Sequence, residues 1–175
     1  HLKMPEILVI PDIAAHGPVA SALRIAAIGR NLPVLATGEK ERAILKTGEE
    51  PEAYLKQAVT PHHLRGYNRL LRRLGELGDV TFGEWRDPAD IRRRTEEFLA
   101  LESQGWKGRK GTAMTIDRYR AAFTREALFN LAERDMFRIH TLDLNGKAAA
   151  SLVVRRETGV AYTWKTAYDE SFSRF

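Results

Sequence analysis

From Thr60 to about Asp135 apolar residues recur at helical spacing, and after it at every second position. From Thr60 to Gly75, Leu64, Tyr67, Leu71 and Leu74 fall on one helical face and Arg65, Arg69, Arg72 and Arg73 on the opposite one. This spacing predicts an amphipathic helix with a basic outer face. Asp87-Pro88 supplies an N-cap and a proline at the first helical position, opening a second helix that runs to about Ser103 and stops at Gly105. Its inward stripe is Ile91, Thr95, Phe98, Leu99 and Glu102. Thr115 is the expected cap of a third helix, with Tyr119, Phe123, Ala127 and Leu131 along one side. Three strands are then expected, Phe137–Leu144, Ala148–Glu157 and Val160–Glu170. Asn145-Gly146 is a strong hairpin signal between the first two, and Glu157-Thr158-Gly159 turns the chain into the third, giving an antiparallel meander. Strict alternation places Val160, Tyr162, Trp164, Thr166 and Tyr168 on one face of the last strand, and Ala161, Thr163, Lys165, Ala167 and Asp169 on the other.

Nearer the start, residues 6–13 read as a short buried strand. A helix follows over Val19–Arg30, ended by Gly29, Asn31 and Pro33, and residues 34–46 look extended. This strand–helix–strand unit is too small to stand alone. The polar stretch from Thr47 to Pro51 marks the boundary, so residues 1–50 are expected as one unit and 51–175 as another.

Composition narrows the chemistry. The chain has 175 residues, 43% hydrophobic and 29% charged, ordinary for one or two compact globular units. With no cysteine, disulfide scaffolds, cysteine-based zinc sites, iron–sulfur centres and thiolate catalysis are excluded, and the expected compartment is the cytoplasm. The apolar run Ile7–Ile10 stops at Pro11, far short of the roughly 20 residues a membrane span needs. His1-Leu2-Lys3 includes no initiator Met and no apolar h-region, so the expectation is a fragment with no signal peptide. A net charge of +5 makes anionic partners plausible: nucleic acid, an anionic membrane surface or a phosphate-bearing cofactor.

Several sites can be set aside. There is no H-E-x-x-H, the five histidines lack metal-ligand spacing, and no metal is expected; His62-His63 is read as solvent exposed. Gly105–Thr112 resembles a phosphate loop superficially, but it presents Lys-Gly-Thr after a helix where a P-loop needs Gly-Lys-Ser/Thr after a strand. Two readings of this stretch stay open: a mobile loop whose cations meet an anion, with Trp106 as an apolar wall, or a solvated loop with Trp106 plugging the core. The Arg65–Arg73 face lacks interleaved aromatics, which favours a solvated surface over a nucleic-acid groove. Lys165, in mid-strand with Asp169 on its side, is either a cleft residue or a surface one.

Two segments carry a resemblance to a known family. The run Phe98-Leu99-Ala100-Leu101-Glu102-Ser103-Gln104-Gly105-Trp106-Lys107-Gly108, with Gly111-Thr112-Ala113 after it, and the strand end Lys165-Thr166-Ala167-Tyr168-Asp169-Glu170 stand in the order and approximate spacing of a GNAT acyltransferase of the CelD-like branch, related to the FemAB peptidyltransferases. The resemblance covers about residues 60–175. It implies an α/β (α+β) fold, with a mixed, largely antiparallel sheet flanked by helices. Where the family continues with a Ser-Pro-Gly turn, a cofactor-gripping helix and further strands, this sequence stops at Phe175, so the family domain is expected to be C-terminally incomplete. Residues 1–50 would then be the tail of a first, degenerate acyltransferase-like half.

The activity implied is acyl-CoA-dependent N-acyl transfer to an amine, with acetyl-CoA or another acyl-CoA as co-substrate, and a small-molecule or glycan-linked amine acceptor in polysaccharide or envelope metabolism. The last strand would lend backbone groups at Thr166, Ala167 and Tyr168 to the pantetheine arm. Glu102, Asp169 and Glu170 are candidate general bases, and Trp106, Lys107, Lys165 and Tyr168 candidate acceptor-side residues. The alternatives are a non-catalytic scaffold of the same fold and a basic nucleic-acid-binding module.

Overall fold

The computed structural model describes residues 7–175 apart from Asp12, Arg42, Lys46, Thr47 and Glu49. The chain divides into two compact units, His1–Glu50 and Pro51–Phe175.

In the first unit the regular element is helix α1, Pro18–Ile28, which starts on a proline and closes at Gly29. The strands expected over 6–13 and 34–46 are absent among the described residues; Glu6, Asp12, Arg42 and Lys46 lie outside them. An apolar run becomes a strand only when a neighbour takes its backbone bonds, and Ile7, Leu8 and Val9 are instead exposed.

The second unit begins with helices α2 (Pro51–Ala58) and α3 (Pro61–Gly75), the latter capped by Thr60, whose hydroxyl accepts from the His63 N–H. His62 and His63 are exposed, as are Arg65, Arg69, Arg72 and Arg73. On the apolar face of α3 Leu74 is buried and Leu64 half-buried, while Tyr67 and Leu71 remain open.

A strand that the periodicity did not predict, β1 (Val80–Trp85), follows and pairs with β2 (Phe137–Leu144). β3 (Lys147–Glu157) and β4 (Val160–Tyr168) complete a four-stranded antiparallel sheet in the order β1-β2-β3-β4. Helices α4 (Pro88–Gln104) and α6 (Arg118–Ala132) pack together, and α4 packs on the sheet. Together they enclose a core of Ile91, Phe98, Leu99, Leu128, Ile139 and Val153. The predicted α4 stripe is buried in full. In α6 the buried residues are Ala121, Thr124, Leu128 and Ala132, while Tyr119 and Phe123 face solvent. Its cap is Asp117, not Thr115, because the Asp117 carboxylate accepts from the Tyr119 and Arg120 N–H groups. Residues 114–116 form a separate 3-10 turn.

β4 departs from strict alternation. Its register against β3 slips between Val153↔Lys165 and Val154↔Thr163, leaving Trp164 as the extra residue of a bulge. Side chains change face across a bulge, so Trp164 packs on the same core as Ala167, with its ring 6.1 Å from that of Phe137. Lys165 therefore does not lie opposite Trp164 as alternation predicted. The strand also ends at Tyr168, two residues early, because Asp169 caps a 3-10 turn over Glu170–Phe172.

Candidate functional site

Polar contacts join the end of α4 to the end of β4. Glu102 lies on the buried face of α4, with its side chain fully enclosed. Its Oε1 accepts from Lys107 Nζ at 3.0 Å, and its Oε2 from the Met114 N–H at 2.9 Å. A carboxylate in this position requires such donors, since an unpaired buried charge is strongly unfavourable.

Lys107 Nζ also donates to the Thr166 carbonyl at 2.6 Å, so that carbonyl points away from β3. Backbone groups two residues apart on a strand point the same way, and the Tyr168 carbonyl indeed lies 3.8 Å from where a Gly105 side chain would begin. The outer edge of β4 at 166–168 thus runs along the junction between α4 and the following turn.

That turn is a short helix, α5 (Trp106–Arg109), where a loop was expected. Glycine makes it possible: a Cβ on Gly108 would sit 1.7 Å from the Ser103 carbonyl oxygen, so no side chain fits. The turn is clamped a second time by Glu170, which accepts from the Trp106 N–H at 2.8 Å and from Arg109 Nη2 at 2.6 Å. The Arg109 guanidinium, aided by the Trp106 N–H, holds the Glu170 carboxyl below the usual glutamate range.

The Trp106 ring is 42% exposed and does not plug the core; Lys107 and Lys110 lie over it at 5.9 and 5.3 Å from its centroid. Lys165 is half-buried, opposite Val153, and has no ion-pair partner among the described residues. Asp169 has left the strand: its Oδ1 accepts from the Ser171 N–H at 2.9 Å. Asp169 and Tyr168 line an open cleft of about 490 Å³ on the other side of the sheet, between it and α3. The Ala167 side chain is in the core and its backbone faces Ser151 of β3, so neither is open to a ligand.

Of the residues singled out from sequence, Glu102, Trp106, Lys107, Thr166, Tyr168 and Glu170 come together at one junction. Arg109 and Gly108 were not singled out individually, although the unusual run of glycines and cations around Trp106 was their signal. Among the described residues no three His, Asp or Glu side chains cluster as metal ligands, and no helix is long and apolar enough to cross a membrane.

No curated protein and no solved structure matches the chain. The family model of the acetyltransferase (GNAT) domain matches residues 61–175, from the first residue of α3 through the whole sheet and both clamped segments. Covering more than half of the chain, that match makes the protein a member of the acetyltransferase (GNAT) domain family.

Proposed function

We propose that the protein is an acyl-CoA-dependent N-acyltransferase, moving an acetyl or other acyl group from a coenzyme A thioester to a primary amine. The observation that carries this reading is the Lys107 bridge, in which one ammonium ties buried Glu102 to the Thr166 carbonyl and fixes the edge of β4 against the Trp106 turn. In the reaction the amine nitrogen attacks the thioester carbonyl carbon, the C–N bond forms, the C–S bond breaks, and coenzyme A leaves as the thiol. Positioning and polarisation of the carbonyl supply the rate, so no nucleophilic side chain is required.

In this reading the outward-facing backbone of Thr166 and Tyr168 lies along the pantetheine arm, and Ala167, paired with Ser151, spaces the two. Glu102 and Glu170 have both oxygens engaged by protein donors and act as positioning residues. Asp169, with one oxygen committed to Ser171 and a place in the cleft wall, receives the proton of the attacking ammonium. Tyr168 shares the cleft wall with Asp169 and flanks the acceptor; Lys165, paired with the core residue Val153, lies on the opposite face of the sheet, and Trp106 does not line the cleft. The paired motifs around Trp106 and Tyr168 support placement in the CelD-like branch, with a small or glycan-linked amine of polysaccharide or envelope metabolism as acceptor and the cytoplasm as its compartment.

The test is amine-dependent release of the coenzyme A thiol from acetyl-CoA by the intact protein. Asp169→Asn, which keeps an oxygen for the Ser171 N–H, should lower kcat/KM at least about tenfold, with Tm changed by only a few degrees, an effect of roughly 1 kcal/mol on stability. No release above hydrolysis with any amine would contradict the reading. A second reading, a non-catalytic scaffold, is favoured by the structural engagement of Glu102 and Glu170; absence of acetyl-CoA binding in calorimetry would identify it.

A further inference from the structure

The cleft between α3 and the sheet differs in chemistry from the clamped junction beside it. Its walls are Tyr67 and Leu71 from α3, Phe82 from β1, Tyr168 from β4, and Phe172 and Phe175 from the C-terminal turn. Among the described residues, Asp169 is the one charged side chain that lines it. Phe82, Tyr67 and Tyr168 are 73%, 61% and 44% exposed, a large aromatic surface open to a ligand.

We infer that this cleft binds a hydrophobic primary amine, its ammonium at Asp169 and its aryl or alkyl body against the aromatic wall. Charge complementarity selects the ligand: a carboxylate set among aromatic faces attracts a cation both as an ion and through the ring quadrupoles, and the apolar walls reject a small hydrated one. The volume of about 490 Å³ suits a molecule much larger than methylamine. Two cations stand nearby without lining the cleft: Arg73 and Arg174 lie over the Phe175 ring at 5.7 and 4.9 Å. They occupy one end of the wall, whereas Asp169 follows directly on β4. In calling this amine the acyl acceptor, the inference rests on the acyltransferase reading; the binding itself does not.

The experiment titrates the intact protein with three probes and follows backbone amide NMR shifts, without acetyl-CoA. The probes are 2-phenylethylamine, 3-phenylpropionate (a similar body with the opposite charge) and ethanolamine (the ammonium without the apolar body). Expected is saturable movement of the Tyr168, Asp169 and Phe172 amides with 2-phenylethylamine, and binding at least about tenfold weaker for the other two. Asp169→Asn, which retains an oxygen for the Ser171 N–H, should weaken 2-phenylethylamine by a similar factor. Phe82→Ala removes an exposed ring with little demand on the core and should weaken it as well.

Equal or tighter binding of 3-phenylpropionate would assign the cleft to anions through Arg73 and Arg174 and overturn the inference. So would absence of binding, or cleft amides that shift with protein concentration and not with amine, which would mark the face as a contact between copies. A separate acetyl-CoA assay distinguishes the two readings. If 2-phenylethylamine binds the cleft and no amine is acetylated, the acyltransferase reading fails while the site stands; if amines are acetylated without moving the cleft amides, the site fails alone.

Discussion

Lys107 serves two acceptors with one ammonium, and the enclosed Glu102 carboxylate depends on it. Lys107→Met should therefore cost on the order of 3 kcal/mol in urea unfolding, because it leaves a buried charge with only the Met114 N–H. Adding Glu102→Gln should cost less than the two single effects combined, since the uncompensated charge has gone. Strict additivity would show that the pair is not coupled. Before folding, Lys107 was legible as a cation in an unusual loop, but its partners were not: the Glu102 contact spans five positions in sequence and the Thr166 contact fifty-nine. Trp164 illustrates the opposite failure. Its pattern was clear and its face was wrong, because a bulge is set by how two strands pair and leaves no mark in the alternation of either.

At the scale of elements, α4 was readable almost completely, since a capping Asp87, a first-turn proline and a helical apolar stripe all agree. Strand β1 was not, because its six residues are broken by Gly83 and carry an exposed Phe82. A buried ion pair between α4 and the sheet was also hidden. Arg94 and Asp143 are both buried, Arg94 Nη2 lies 2.6 Å from Asp143 Oδ2, and the guanidinium stacks 4.2 Å from the centroid of Trp85. Asp143→Ala should cost about 3 kcal/mol, the penalty for orphaning a buried cation, moderated by the remaining Glu97 contact at 2.6 Å. By contrast, Arg69→Ala with Arg72→Ala, on the exposed face of α3, should move stability by no more than about 0.5 kcal/mol. Chemical unfolding of the two variants side by side checks both; a large loss in the second would mean that α3 is covered on that face.

For the molecule as a whole, acid is the revealing variable. Glu96, bonded by Arg125 between α4 and α6, Asp135, bonded by Arg138, and Glu170, bonded by Arg109, are all held below their ordinary values. A carboxylate whose folded pKa is depressed contributes stability above its unfolded value, near pH 4, and loses it as pH falls through the folded value. The melting temperature should accordingly drop on acidification below about pH 4, and Glu170→Gln should reduce that drop. A melting curve independent of pH there would contradict the assignment of these pairs. Whether the edge of β4 beside the Trp106 turn receives the acyl-CoA can be read from amide hydrogen exchange of the intact protein with and without acetyl-CoA. Slowed exchange is expected along residues 163–168 and at Trp106, with the Arg65–Arg73 face of α3 unchanged; slowing confined to that basic face, or none anywhere, would mean that acyl-CoA does not bind at this edge.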